Sequence, residues 1–461
     1  MTAERRKILI TGASGNVGTG VLRALAAALP LDEVVGVCRR PPTDGPAHDS
    51  VSWHRVDLAK TSAVEDLEPA MHRADVVIHL ALALRPAGDE HYLYRVNVLG
   101  TQAVLRAMVA AGVHQLIYAS SLGVYAPGAT EPVSESWPST GQTTAVYSRH
   151  KVIAETLVDE FVRTHPEVVV SRIRPTLVVQ REAAWEVRSL YLGPAVPRAL
   201  LRLLRRQALP VVPLPAGIAL QFVHADDVGD AVVRLLQRRA EGSFNLAADI
   251  LDACALAGLL GGRLVVVNPR LFRTVVAALH AARLLAVTPG WYDVALNSPL
   301  MDTSRARQEL NWSPTRSSAD SAMELLDGLA RGSVGVSAAM GAARDTRTGL
   351  RRASDRVHDQ TLLLWTAATL LRAVGVGRAG VLDAVFVAAN LAAGTPAALD
   401  RLRARRLDPV ALLAPAAVFM AVAATLRGGW ASVVSVAALN LLAAAERRRN
   451  ETISEQGVGG G

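Results

Sequence analysis

The sequence predicts an α/β fold built on a doubly wound parallel sheet, with a small substrate-binding subdomain and a C-terminal all-α helical module. Up to residue 180, short apolar runs alternate with helical patterns, which is typical of parallel strands joined by helices. The first apolar run, 7–10, leads directly into a glycine-rich turn and then a helical pattern. Beyond residue 356, four apolar segments replace this alternation. We therefore expect a sheet-containing part followed by a helical part.

The glycine-rich turn after the first strand predicts a dinucleotide site of the Rossmann type. Its glycines stand at three-residue spacing, at positions 12, 15 and 18. Glycines let the backbone approach a pyrophosphate, and the helix N-terminus offers free N–H groups and the positive end of its dipole. The cofactor contacts that we expect in this turn are Gly12, Ser14, Gly15, Asn16, Val17 and Gly18.

Lysine is rare in this chain, which makes its position informative. Lys and Arg together number 49, but the only lysines are Lys7, Lys60 and Lys151. Lys151 follows Tyr147 by four residues, so on a helix both side chains lie on one face. A compact ammonium group can lower the pKa of a neighbouring phenol and reach a ribose hydroxyl, and a guanidinium does not replace it there. The pair predicts an acid/base site.

Further landmarks follow in order at predicted strand ends and helix starts. They are Asp57-Leu58, His79-Leu80-Ala81, Asn97, Ser120-Ser121, Val124-Tyr125, Arg174-Pro175 and the segment 222–228. Together with the glycine-rich turn and the Tyr147/Lys151 pair, they resemble the extended short-chain dehydrogenase/reductase family, also called the NAD-dependent epimerase/dehydratase family. The resemblance covers roughly residues 5–330.

The resemblance implies roles for three catalytic residues. Tyr147 is the expected general acid/base at a substrate hydroxyl or ketone. Lys151 is expected to hold Tyr147 near a working pKa and to bind the nicotinamide ribose. Ser121 is expected to orient the substrate oxygen, with Ser120 as the rival serine.

The resemblance also implies further cofactor contacts and a domain division. Asn97 is expected to hold the helix beside the cofactor. Its position equally predicts that it is the N-cap of that helix, and the two roles do not exclude each other. The cofactor contacts expected outside the turn are Arg39, Arg40, Asp57, Leu58, Leu80, Ala81, Asn97, Tyr147, Lys151 and Pro175. The expected divisions are a catalytic domain over 1–330 (Rossmann core about 1–175, substrate-binding part about 176–330), a linker over 331–356, a helical module over 357–447 and a disordered tail over 448–461. No metal site is expected.

The end of the second predicted strand bears on the cofactor. NAD-binding relatives usually carry an acidic residue there for the ribose 2′-hydroxyl, whereas arginine accommodates a 2′-phosphate. This chain has Cys38, Arg39 and Arg40. The pattern favours NADP, and NAD stays open because both arginines could instead stack on adenine or face solvent.

The residues after Ser121 bear on the reaction. Dehydratases of the family carry an Asp-Glu pair there and decarboxylases a nearby glutamate, but this chain has Leu122 and Gly123, which cannot transfer protons. The reactions that remain for this chain are oxidation, reduction, and epimerisation through a transient ketone. The substrate-binding part lacks the family's usual diphosphate pattern and is apolar over 196–214. A nucleotide sugar and an apolar, lipid-like or natural-product substrate both stay open.

The C-terminal part carries most of the basic charge. Residues 331–461 hold 16 Arg against 9 Asp plus Glu, a surplus of +7 in a chain of net charge +8, so no nucleic acid is expected at the catalytic domain. The four apolar segments are about 16–20 residues long, short for a ~30 Å hydrocarbon core. Arginine clusters in alternate loops follow the positive-inside pattern. Attachment to a membrane and a soluble helical bundle therefore both stay open. Residues 359–389 also align with 408–438 without gaps, which predicts a duplicated helical hairpin.

Cysteine content and the N-terminus indicate a cytoplasmic catalytic domain. The two cysteines, Cys38 and Cys254, form no disulfide framework, and the first strand begins too early for a signal peptide. The leading hypothesis is a NADP-preferring oxidoreductase or epimerase acting on a small-molecule substrate. The alternative is a non-catalytic cofactor-binding sensor or a membrane-associated assembly protein. Whether the chain forms a homodimer stays open.

Overall fold

The computed structural model describes residues 5–42, 45–84, 89–193, 196, 198–281 and 285–342. The chain divides into two compact units. The first comprises 1–190, 203–276 and 287–343 and contains the sheets. The second comprises 191–202, 277–286 and 344–461, most of which lies outside the described residues. The predicted helical module over 357–447, with its four apolar segments, and the tail over 448–461 also lie outside them.

Through the first 180 residues, the described chain mostly alternates between strands and helices, except that β3 follows β2, α4 follows α3 and β7 follows β6 directly. The strands are β1 (Lys7–Thr11), β2 (Glu33–Cys38), β3 (Ser52–Arg55), β4 (Val76–His79), β5 (Gln115–Ala119), β6 (Val169–Pro175), β7 (Leu177–Val179), β8 (Val211–Pro215), β9 (Ala219–His224), β10 (Gly242–Leu246), β11 (Ile250–Asp252) and β12 (Arg263–Val267). The helices are α1 (Asn16–Ala28), α2 (Ala63–Met71), α3 (Glu90–Tyr94), α4 (Gly100–Ala111), α5 (Val146–Thr164), α6 (Ala184–Val187), α7 (Arg198–Arg205), α8 (Ala225–Arg238), α9 (Ala253–Leu259), α10 (Pro269–Ala281), α11 (Pro289–Asn297), α12 (Ser304–Leu310) and α13 (Ser318–Arg331).

A seven-stranded parallel sheet forms the centre of the first unit. Its strand order is β10-β6-β5-β4-β1-β2-β3. The order reverses between β1 and β4, and in such sheets ligands bind in the crevice outside the carboxyl ends of the strands at this switch point. The predicted doubly wound parallel sheet is confirmed.

Two apolar layers cover the faces of this sheet. On one face, side chains of α2, α4 and α5, such as Leu67, Met108 and Val158, pack against β2, β4 and β5. On the other face, α1, α8 and the segment around α12 pack against β1, β4 and β6, with Trp312 fully buried. Full burial on both faces explains why the strands read as continuous apolar runs rather than alternating ones.

The helices α1 and α8 cross at a pair of glycines. A Cβ at Gly20 would lie 2.2 Å from the carbonyl oxygen of Ala225, and a Cβ at Gly229 would lie 2.5 Å from the carbonyl oxygen of Gly20. Only glycine permits the two backbones to approach this closely. The crossing fixes the position of α1, whose N-terminus lies at the glycine-rich turn.

The chain after residue 175 contributes to both parts of the first unit. Strands β7, β9 and β11 form a three-stranded sheet, and β8 pairs with β12 in a second, two-stranded sheet. However, α8 and β10 return to the central sheet, so the sequence boundary near 175 does not separate the two parts in space. Within the described residues, no helix is both long and apolar enough to cross a membrane.

Candidate functional site

The glycine-rich turn joins β1 to α1 by close backbone contacts. Gly12 has a φ of +71°, and a Cβ there would lie 2.7 Å from the backbone nitrogen of Ala81. A Cβ at Gly18 would lie 2.5 Å from the carbonyl oxygens of Gly12 and Ala13. The N-cap residue of α1 is Gly15, and among the described residues no side chain caps the helix there. The first amides of α1 therefore stay open to an anion such as a pyrophosphate, which the turn fits.

The other predicted contacts in this turn have different surroundings, as the side chains of Asn16, Ser14 and Val17 show. The Asn16 side chain donates to the carbonyl oxygen of Val178 at 2.8 Å and accepts from Gln180 Nε2 at 2.8 Å, so it ties α1 to β7. Ser14 is buried beside the Cys38 thiol; burial raises the pKa of that thiol, and Ser14 opposes this in part. Val17 packs against the apolar layer behind the sheet.

A segment beyond α13 covers part of this turn. Ser337 is fully buried, and its hydroxyl donates to the carbonyl oxygen of Ser14 at 2.5 Å. Met340 is also buried, with its sulfur 3.4 Å from the hydroxyl of Thr19. The sequence indicated a linker over 331–356, so the contact of 337–340 with the turn was not foreseen. Serine and methionine near an irregular stretch carry no periodic signal that could have shown it.

The residues at the ends of β2 and β3 lie beside the turn, because β1 pairs with β2 and β2 with β3. Arg39 and Arg40 are exposed, and Arg39 donates a hydrogen bond to the hydroxyl of Tyr92. The Asp57 carboxylate accepts from the backbone nitrogen of Ala59 at 3.1 Å, and Leu58 is buried against Gly100. The described end of β2 thus presents guanidinium groups and no carboxylate.

The end of β4 is fixed by a buried histidine. His79 Nδ1 lies 2.6 Å from the hydroxyl of Thr11, and its Nε2 lies 3.0 Å from the hydroxyl of Thr101. Burial, with a smaller contribution from the Lys151 charge, lowers the pKa of His79 to about 3, so the ring is neutral. Leu80 and Ala81 follow directly and lie against Gly12.

Asn97 lies within a helix rather than at its start. It belongs to a π-helical turn, Arg95–Leu99, that joins α3 to α4 without a break. Its side chain accepts from the backbone nitrogen of Ala83 at 2.8 Å and donates to the carbonyl oxygen of Ala83 at 3.0 Å. The N-cap alternative is therefore wrong, because the helix runs through this position. Asn97 instead holds the loop after β4 against the helix, in the kind of π-turn that is frequent at functional sites.

Ser121, Tyr147 and Lys151 lie together beyond the end of β5. The Ser121 hydroxyl accepts from the backbone nitrogen of Gly123 at 3.1 Å and lies beside Tyr147, whose pKa it helps to lower. Tyr147 is in the first turn of α5, and Lys151 follows one turn later. Ser120 instead lies beside the carboxylate of Glu155, whose pKa it helps to lower. Ser121 is thus the serine that meets the phenol.

Burial governs the ionisation of this trio. Burial raises the pKa of Tyr147 to about 12, and the neighbouring Ser121 hydroxyl opposes this in part. Burial lowers the pKa of Lys151 to about 8, against the opposing charge of Glu155. Lys151 Nζ donates to the carbonyl oxygen of Ala119 at 2.6 Å and lies 5.2 Å from the centroid of the Tyr118 ring. The lysine is therefore anchored to the end of β5.

A buried ion pair supports α5 from behind. The Arg174 guanidinium makes two hydrogen bonds to the Glu155 carboxylate, at 2.9 Å and 2.6 Å, and both side chains are nearly inaccessible. Burial would raise the pKa of Glu155, but Arg174 outweighs it and holds that pKa below its ordinary value. Arg174 also donates to the hydroxyl of Tyr125 at 3.1 Å, which in turn donates to Asn245. Pro175, the next residue, ends β6 at the same edge of the sheet.

An aromatic side chain from α11 covers Tyr147. The ring centroids of Trp291 and Tyr147 lie 4.7 Å apart with an angle of 25° between the planes. Sequence reasoning missed Trp291, because it lies more than 140 residues from Tyr147 in a part of the chain without a recognisable motif. The contact places α11 directly against the candidate acid/base.

Comparison with known proteins gives one family and a set of distant relatives. The sequence model of the NAD dependent epimerase/dehydratase family matches residues 8–247. The UDP-glucose 4-epimerase 2 of Oryza sativa subsp. japonica is 28% identical over 265 residues, which cover 52% of this chain and 63% of that protein. The chain thus spans less than two thirds of the length of this relative.

Solved structures share the fold. A UDP-glucose 4-epimerase from Thermotoga maritima has a TM-score of 0.53 at 18% identity and covers 71% of this chain and 99% of its own. The terminal R domain from the myxalamid PKS-NRPS biosynthetic pathway has a TM-score of 0.58 at 19% identity, covering 72% and 92%. At such identities the likeness concerns the fold alone.

Proposed function

Because the chain belongs to the NAD-dependent epimerase/dehydratase family, we propose that it is an NAD(P)-dependent oxidoreductase or epimerase acting at a carbon that carries a secondary hydroxyl or a ketone. One observation carries this proposal: Ser121, Tyr147 and Lys151 lie together beyond β5, next to the switch point where the open glycine-rich turn lies. A non-catalytic sensor has no need for this trio.

The residues divide the chemistry between them. A bound nicotinamide supplies the hydride acceptor or donor. Ser121 and Tyr147 hold the substrate oxygen by hydrogen bonds, and the Tyr147 hydroxyl takes up or delivers the proton at that oxygen. Lys151, charged below pH about 8, stabilises the phenolate form of Tyr147 by its positive charge. The Glu155–Arg174 pair keeps α5, and with it both side chains, in place.

The cofactor is proposed to be NADP rather than NAD. The exposed guanidinium groups of Arg39 and Arg40 at the end of β2 suit a 2′-phosphate, and the position that often carries a carboxylate holds Cys38. Arg39 is already oriented by its hydrogen bond to Tyr92, so it would meet the phosphate with little further ordering.

The reaction is proposed to be hydride transfer without elimination. Leu122 and Gly123 follow Ser121 and offer no acid or base to remove water from the substrate. The UDP-glucose 4-epimerases among the relatives support a nucleotide-sugar substrate. The apolar composition of 196–214 supports a lipid-like or natural-product alcohol or ketone instead. The catalytic domain is proposed to work in the cytoplasm.

A cofactor-coupled assay separates these substrates. The full-length protein is incubated with NADP or NADPH and either UDP-glucose and UDP-galactose or a set of apolar secondary alcohols and ketones. Oxidation or reduction is followed by nicotinamide absorbance, and epimerisation by chromatography of the sugar nucleotides. Turnover that the Tyr147→Phe variant lacks supports the proposal. Tight cofactor binding without turnover on any substrate, or equal turnover in Tyr147→Phe, contradicts it.

A further inference from the structure

Trp291 covers one face of the Tyr147 ring, and the backbone at Gly123 restricts the movement of that ring from a different side. The stacked indole lies 4.7 Å from the phenol, measured between ring centroids. At Gly123, an added Cβ would lie 3.0 Å from Cε1 of Tyr147, so the backbone there is already close to the ring. The phenol therefore has little freedom to turn while both neighbours stay in place.

The position of Trp291 is set by the docking of α11 onto the residues that lead into α5. A Cβ at Gly290 would lie 2.5 Å from the carbonyl oxygen of Thr144, so the start of α11 touches that backbone. The hydroxyl of Thr144 donates to Asp293 Oδ2 at 2.9 Å. Arg273 donates to both oxygens of the same carboxylate, at 2.7 Å and 2.9 Å. The Asp293 carboxylate is buried, whereas its partners Arg273 and Thr144 lie toward the surface.

We propose that Trp291 is a positioning residue for Tyr147: the Asp293 clamp holds its indole on the phenol, where it fixes the ring and keeps water from one face. Through this contact the substrate-binding part controls the acid/base residue. The proposal rests on the proposed function, because it concerns the same tyrosine. It adds a residue that no motif in the sequence indicates.

The expected consequence for ionisation follows from the surroundings of Tyr147. Burial is what raises its pKa, and Trp291 supplies part of that burial without adding a charge. The ionisable neighbour of the phenol is Tyr118 on β5, Lys151 lies one turn further along the same helix, and the Ser121 hydroxyl opposes the rise in the pKa of Tyr147. Removing the indole leaves these groups in place. Water then reaches the phenol, and the pKa of Tyr147 should fall toward its ordinary value.

The test is a tyrosine titration, which needs no substrate. Tyrosinate absorbance is followed over roughly pH 8–13, so that the range brackets the raised pKa of Tyr147, for the full-length protein, Trp291→Phe and Trp291→Ala. Each is measured against the same protein carrying Tyr147→Phe, so that the difference reports Tyr147 alone. We expect Trp291→Ala to lower the pKa of Tyr147 by roughly one unit or more, and Trp291→Phe, which still stacks, to leave it near the wild-type value. Trp53→Phe, a substitution on β3, is the matched control and should change nothing.

Turnover and cofactor affinity separate positioning from folding. With a substrate found by the coupled assay, Trp291→Ala should lose roughly 10–100-fold in kcat with cofactor affinity unchanged, and Trp291→Phe should recover most of the loss. Asp293→Asn, which weakens the clamp but keeps the indole, should lower the pKa of Tyr147 by a smaller amount and provides the test if Trp291→Ala does not fold. An unchanged titration of Tyr147 in Trp291→Ala, or in Asp293→Asn in its place, overturns the proposal. Activity retained in Tyr147→Phe would instead refute the proposed function, whatever the titration shows.

Discussion

The hydroxyl of Ser337 donates a hydrogen bond to the carbonyl oxygen of Ser14, across 323 residues of sequence. The contact joins the segment after α13 to the turn that is open to a cofactor pyrophosphate. Ser337 also accepts from the backbone nitrogen of Met340, so the segment is held as a compact turn. Cofactor binding and the conformation of this segment are therefore expected to depend on each other.

Ser337→Ala should weaken both the fold and cofactor binding. The change leaves a buried carbonyl oxygen without its donor, which costs on the order of 1–3 kcal/mol. We expect a lower melting temperature and a several-fold weaker Kd for NADPH, measured by fluorescence titration. Ser136→Ala removes a hydroxyl from an exposed serine pair and is the control. Equal Kd values for wild type and Ser337→Ala would show that the segment does not support the turn.

Gly12→Ala and Gly112→Ala form a matched pair of substitutions. Both glycines have positive φ, +71° and +66°, so both alanines pay a similar backbone cost of about 1 kcal/mol. Only at Gly12 would the new Cβ also meet a neighbour, the backbone nitrogen of Ala81 at 2.7 Å, whereas nothing lies within 4 Å of Gly112. Gly12→Ala should abolish NADPH binding, and Gly112→Ala should bind normally with a slightly lower melting temperature. Normal binding by Gly12→Ala would argue against a pyrophosphate at this turn.

The sequence predicts those parts of the fold that local patterns control. The run of apolar residues before Gly12 becomes β1, and the spacing of Tyr147 and Lys151 places both on α5, because helix and strand periods fix which residues share a face. The parallel sheet follows from the same alternation and from the packing of helices on both its faces.

Contacts between distant segments are beyond such patterns. Trp291 and Ser337 reach Tyr147 and the glycine-rich turn only through the docking of α11 and of the segment after α13. A tryptophan or a serine does not by itself indicate a functional site, and neither position belongs to a helical or strand periodicity that would predict the contact. The N-cap prediction for Asn97 was wrong for a different reason. An asparagine before a helical pattern favours an N-cap, but here the π-helical turn continues α3 into α4.

The choice of cofactor should depend on two arginines. We expect the protein to bind NADPH more tightly than NADH, and Arg39→Ala/Arg40→Ala to remove the preference. Each lost charge-assisted contact to the 2′-phosphate should cost roughly 1.5–3 kcal/mol. Tyr92→Phe removes only the hydroxyl that orients Arg39 and should reduce the preference in part. The affinities are compared by titration, and a native preference for NADH would mean that the arginines serve another purpose.

Tyr147→Phe and Lys151→Arg should both inactivate the enzyme for different reasons. The first removes the group that transfers the proton and should leave the Kd for NADPH nearly unchanged. The second keeps the charge, but the larger guanidinium cannot occupy the buried position from which Lys151 Nζ reaches the carbonyl oxygen of Ala119. We expect at least a 100-fold loss of turnover in each, on the order of 2.7 kcal/mol or more in activation free energy. Near-normal turnover in Lys151→Arg would show that any cation serves there.

The depressed pKa of Lys151 predicts how its variant changes stability with pH. The ordinary value for lysine is 10.5, and burial lowers it to about 8 in the folded protein. Between these values the unfolded chain binds more protons than the folded one, so this group makes the folded protein more stable as the pH rises from 8 toward 10.5. Below pH 8 the buried charge costs free energy in full. Lys151→Met should therefore be more stable than wild type by roughly 2–3 kcal/mol near pH 7, and the gain should shrink as the pH approaches 10. Urea unfolding at a series of pH values without cofactor measures this difference, with the exposed Lys60→Met as the control; a gain that does not change with pH would show that Lys151 titrates at its ordinary value.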